Sequence, residues 1–204
     1  MTRRSIRTLR ALAAAGLAIT LIPSAAQAHL VTTGLGPIYD GIMHLALSPD
    51  DLVPVVALGL FAGLRGAAHG RVALFVLPLA WLLGGVSGLA WPLGLSMGWT
   101  TASFLMLGGL VATDLRLSRP VMIALSSLVG LMHGHLNGEA MAGNDSGASA
   151  LFGVAAALFV VTALSSALVV SLQKPWTRIA VRVAGSWITA IGLLMLGWSL
   201  RSAP

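Results

Sequence analysis

Two histidines two residues apart, followed by a carboxylate, close a long apolar run: Leu131-Met132-His133-Gly134-His135-Leu136-Asn137-Gly138-Glu139. A neutral imidazole is a good ligand for nickel, cobalt, copper or zinc, and a carboxylate can complete such a site. A second group lies in Tyr39-Asp40-Gly41-Ile42-Met43-His44, where Asp40 and His44 are four apart and share one face of a helix. Such a pair binds a metal jointly, or Asp40 orients His44 from behind. The chain has no cysteine, which excludes thiolate metal sites, Fe–S clusters and disulfides. Any metal must be held by His, carboxylate, amide, thioether or backbone groups. The plainer reading of the first set is a polar helix end wetted at an interface, and of the second a helix-surface hydrogen bond.

The elements that must carry these residues are apolar. Of the 204 residues 57% are hydrophobic and 9% charged, the balance of a membrane protein with no sizeable soluble domain. The fold expected is an all-α, polytopic membrane helix bundle. Residues 1–28 read as a cleaved signal peptide: a basic stretch over 3–10, an apolar stretch over 11–22, a break at Pro23-Ser24, and the cleavage pattern Ala26-Gln27-Ala28. Cleavage there leaves one domain, 29–204, and makes His29 the new N-terminus, whose α-amine and imidazole can chelate one metal together. Pro37 to Leu47 reads as a short helix at the outer interface. Ser48-Pro49-Asp50-Asp51 reads as the start of the next helix, with both acids in its first turn for structural reasons. Six spans follow, at about 51–66, 71–91, 98–115, 120–135, 147–172 and 179–200.

Charge orients them. Without residues 1–28 the chain has eight basic and six acidic residues, a net of +2, and nucleic-acid binding is rejected. Seven of the eight basic residues fall in the loops 65–71, 114–120 and 173–182, and only Arg201 lies on the other side. The positive-inside rule makes those loops cytoplasmic and both termini external. His133, His135, Glu139, Asp40, His44 and His29 then share the outer face. His69 is cytoplasmic, a solvated loop histidine. His133 and His135 would splay by about 200° on a straight helix, and Gly134 and Gly138 permit it to unwind. Small residues four apart (Gly59/Gly63, Gly84/Gly88, Gly130/Gly134) call for a tight bundle in the lipid bilayer, compatible with a homo-oligomer.

These residues resemble the HupE/UreJ family of hydrogenase and urease accessory permeases. The family motif, HGHAHGAE-like, reads here His133-Gly134-His135-Leu136-Asn137-Gly138-Glu139, with Asn137 where the motif has a third histidine and the carboxylate one position earlier. The run from His29 through Asp40-Gly41, His44 and Ser48-Pro49-Asp50-Asp51 to Leu64-Arg65-Gly66 is similar to the start of one branch of it. The resemblance implies uptake of Ni2+, in some members Co2+, across the bacterial inner membrane, in partnership with a hydrogenase or urease maturation system. No tightly bound cofactor is expected. No nucleophile–base pairing marks an enzyme, and no P-loop marks an ATPase. Two rivals remain. A haem-binding electron-transfer subunit needs histidine pairs on facing helices deep in the spans. A non-transporting assembly partner of a metalloenzyme needs no cation path.

Overall fold

The computed structural model describes residues 32–94 and 98–202. The expected signal peptide and His29 lie outside the described residues. Seven helices and no strand make up the described chain: α1 (Pro37–Leu47), α2 (Pro49–Leu64), α3 (Ala67–Ala90), α4 (Gly98–Thr113), α5 (Arg119–Met141), α6 (Gly147–Ser171) and α7 (Pro175–Ser202). Helices α2 to α7 cover the stretches expected as six spans, with α5 running six residues past the expected end at His135, and α1 matches the expected short helix.

The break between α1 and α2 has a local cause. The residue before a proline is pushed out of the α region. Ser48, before Pro49, takes φ −104 and ψ 90, and the chain turns by 77°. Its hydroxyl makes no cap bond, while its carbonyl accepts from the amides of Asp51 and Leu52 at 3.1 and 2.9 Å.

Three helices, Ala67–Ala90, Gly147–Ser171 and Pro175–Arg201, are long and apolar enough to cross a membrane, and the bent α1–α2 pair makes a fourth if it crosses as one. Helix α4 has 16 residues, short for that test. Helix α5 has 23, but its two histidines and Asn137 hold its hydropathy down. The side chains that make α5 chemically interesting are the ones that make it a poor span by composition.

Glycines set the packing. A Cβ on Gly84, Gly88, Gly134 or Gly138 would overlap the backbone of the facing helix, so α3 and α5 lie backbone to backbone. Their facing residues rise together in number (Leu77 by Gly130, Trp81 by Gly134, Gly85 by Gly138), so the two helices run parallel. Gly59 and Gly63 likewise seat α2 against Ser165 and Ser166 of α6. Gly108 and Gly185 seat α4 against α7, whose numbers run oppositely. The core between them centres on Phe61, Leu58, Leu77, Trp81, Leu107 and Leu158, all fully buried. The outer surface is apolar. Leu83, Leu164, Leu194 and Trp187 are exposed, as side chains in contact with lipid tails would be. Trp91, Trp99, Trp176 and Trp198 are exposed near helix ends, as interfacial tryptophans are.

At the arginine-rich end, Asp114 ties three helices together. It follows α4 in the left-handed region, φ 55, which Asp tolerates better than most residues. Its carboxylate pairs with Arg65, after α2, and takes Nε and Nη2 of Arg178, in α7, at 2.7 and 3.0 Å. Burial, and then the charges of Arg178 and Arg116, push the Arg65 guanidinium below its ordinary range. Among the described residues, Asp114 is thus the one counter-charge in a crowd of cations. Asp114→Ala is expected to destabilise the fold by about 3 kcal/mol, because it strands a buried arginine. Thermal unfolding in detergent would read this, and an unchanged midpoint would show that the cluster contributes nothing.

Candidate cation site

The centre of the site is His133. Helix α5 remains continuous through Gly134 and Gly138, so the expected unwinding does not occur. The two glycines are used for contact with α3 instead. The histidines therefore point to different partners. The His133 ring is 1% exposed and stacks on Trp81, with centroids 5.4 Å apart and an interplanar angle of 24°. Its Nδ1 lies 2.8 Å from Asp51 Oδ1 and its Nε2 lies 3.0 Å from Ser103 Oγ. Residues from α2, α4 and α5, up to 82 positions apart, thus meet at one imidazole.

Hydrogen accounting gives each contact a direction. An ionised carboxylate only accepts, so Nδ1–H donates to Asp51. A carboxylate behind one imidazole nitrogen fixes the ring and leaves the other nitrogen as the ligand position. That other nitrogen faces Ser103, whose hydroxyl also lies 2.8 Å from the Thr100 carbonyl. One hydroxyl hydrogen must choose between them. Directed to Nε2 it caps the ring; turned to Thr100 it frees Nε2 for a cation. Asp51 has a second partner: its Oδ2 accepts from Asn137 Nδ2 at 2.7 Å. The Asn137 carbonyl oxygen and Trp81 Nε1 are buried without a hydrogen-bond partner. The former is a free oxygen donor in the same cluster.

His135 faces α3. Its Nδ1 is 2.8 Å from Ser87 Oγ, and its Nε2 is 3.2 Å from Glu139 Oε1. The same Glu139 oxygen accepts the amides of Leu93 and Gly94, the latter at 2.8 Å. Glu139 therefore anchors the end of α3 as well as orienting His135. Asp40 and His44 share a face of α1, both nearly buried. Asp40 accepts the Thr33 amide and hydroxyl, each at 2.6 Å, rather than orienting His44. The candidate residues thus divide into the His133 cluster, the His135–Glu139 pair and the Asp40–His44 face. Among the described residues, no three His, Asp or Glu side chains are grouped so as to hold a metal ion.

A model of the family described as HupE / UreJ protein matches residues 17–195. The chain belongs to the HupE/UreJ family. Every side chain of the His133 cluster lies inside the matched stretch. Protein HupE of Rhizobium leguminosarum bv. viciae is similar to it, with 26% identity over 188 residues, 88% of this chain and 94% of that protein. No solved structure matches the chain. In this HupE/UreJ chain the Asn137 amide is not idle: it holds the carboxylate that holds His133.

Sequence reasoning missed three participants. Asp51 reads as an ordinary first-turn acid, yet its side chain turns into the bundle. Ser103 and Trp81 sit in apolar runs with no local signal at all. His69, expected as a solvated loop residue, lies in the first turn of α3 with both ring nitrogens buried and unpartnered.

Proposed function

We propose that this protein is a multi-pass inner-membrane permease, with six spans and both termini external after signal-peptide removal, that takes up Ni2+, with Co2+ as the alternative cargo. It would supply hydrogenase or urease maturation. The family assignment supports the setting. The observation that carries the cation reading is the buried Asp51–His133–Ser103 line, an imidazole oriented by a carboxylate with its second nitrogen capped by a movable hydroxyl. A buried carboxylate and imidazole inside an apolar bundle are costly to keep and mark function.

Entry would begin at the face bearing Asp40, His44, His135 and Glu139 and pass to His133. Asp51 would hold the ring and lend its charge from behind. Ser103 would release Nε2 by turning to Thr100, and the Asn137 carbonyl oxygen would offer an oxygen donor. Neutral imidazole is the form that would ligate the cation.

The test is radioactive nickel and cobalt uptake in cells lacking their own importers. Wild type should accumulate metal, and His133→Ala and His44→Ala should lose most of it. Equal uptake by all three proteins would remove these histidines from the path and favour a non-transporting assembly partner.

A further inference from the structure

The basic residues of the arginine-rich end are of two kinds. Arg65 and Arg178 are committed to Asp114, and Arg182 donates to the Ala112 carbonyl at 2.8 Å. Arg71, near the start of α3, and Arg119, the first residue of α5, have no hydrogen bond or ion pair among the described residues. Because α3 and α5 run parallel, these two starts lie side by side. Arg71 and Arg119 both line one surface cavity of about 380 Å³, with Ala68, Val72, Phe75 and Val76. No carboxylate lines it.

The cavity changes character along the helix axis. At the helix starts it offers two unpaired cations. Away from them it opens onto an apolar strip of α3, where Phe75, Leu79, Leu83 and Val86 are 56 to 68% exposed and recur at helical spacing. A free inorganic anion would match the charged end alone. An amphiphile with an anionic head and hydrocarbon tails matches both parts, and the three long apolar helices place such molecules around the protein.

We propose that this cavity is a binding site for an anionic phospholipid, whose phosphate sits between Arg71 and Arg119 and whose acyl chains run along Phe75, Leu79 and Leu83. Guanidinium forks match phosphate oxygens two at a time. Basic pockets between membrane helices recur as sites for phosphate-bearing head groups. The α5 N-terminus adds the positive end of its dipole. The site is separate from the cation cluster, and its occupancy does not depend on which metal is carried.

The test is native mass spectrometry of the purified full-length protein in detergent, titrated with cardiolipin, phosphatidylglycerol or phosphatidylcholine. The anionic lipids should bind more tightly than phosphatidylcholine. Arg71→Gln and Arg119→Gln should each weaken anionic-lipid binding by about fivefold. Arg116→Gln, which removes an exposed charge at the same end but outside the cavity, should not. Neither cavity arginine has a partner to lose, so the melting temperature of the delipidated variants should match wild type. Wild-type binding by both cavity variants would overturn the proposal. So would equal weakening by Arg116→Gln, which would mean diffuse charge attraction, or displacement of the lipid by millimolar inorganic phosphate, which would mean a soluble-anion site.

Discussion

Gly134→Val should leave little folded protein. A Cβ at this position overlaps the Trp81 carbonyl, a backbone atom that cannot rotate away. The same helix pair is in backbone contact at Gly84, Gly88 and Gly138, so α3 would have to part from α5 along its length. Overpacking of a tight core costs about 1–3 kcal/mol even where side chains can adjust. Here the obstacle is main chain, and the cost should reach or pass the top of that range. Separation would also remove Trp81 from the face of His133. The check is the yield and melting temperature of the detergent-solubilised variant beside Gly109→Val, where nothing lies within 4 Å of a Cβ. Equal behaviour of the two would show that the α3–α5 contact does not limit stability.

Asp51→Ala should be the most damaging substitution in the polar interior. Asp51 accepts from both His133 and Asn137, and both donors would be left buried and unpaired. An orphaned buried group costs about 1–3 kcal/mol. The imidazole would also lose the partner that sets its orientation, so nickel uptake should disappear along with the stability. Asp51→Asn separates the two effects. It keeps the shape and an acceptor oxygen, so its melting temperature should lie between wild type and Asp51→Ala, while uptake should still fall because the charge is gone. A double variant, Asp51→Ala with His133→Ala, should cost less than the sum of the single changes, because the two residues share one interaction. Additive losses would mean that the contact carries no coupling energy.

The helices were largely legible because their signals are local. Apolar runs, Pro37, Pro49 and Pro120, and the clustering of arginines between apolar runs mark most boundaries to within about four residues, while the end of α5 lies six residues beyond the expected one. Ser48-Pro49 announces the bend before α2, since a pre-proline residue resists helical geometry. Gly134 and Gly138 are ambiguous by contrast. A glycine in a membrane helix serves either an unwound segment or a close helix contact. Only the identity of the facing helix decides, and that is a non-local fact. Here α3 brings its own glycines, and contact prevails over unwinding.

The site was half legible. His133, His135 and Glu139 stand out because ionisable groups are rare in this chain. Asp51 does not, since acids in the first turn of a helix are ordinary. Its role appears only when α2 packs close enough to α5 to bring residues 51, 133 and 137 together. Asn137 shows the same limit in reverse. As a letter in a motif it is a missing histidine, whereas in the bundle it is the second support of the Asp51 carboxylate.

The most direct measurement of the central claim is nickel accumulation by proteoliposomes that contain this protein and nothing else. Wild type should load 63Ni above empty liposomes. His133→Gln, which keeps a polar side chain of similar size, should melt near wild type and load no more than empty liposomes. Loading by wild type no greater than by empty vesicles, or equal loading by wild type and His133→Gln, would contradict the account.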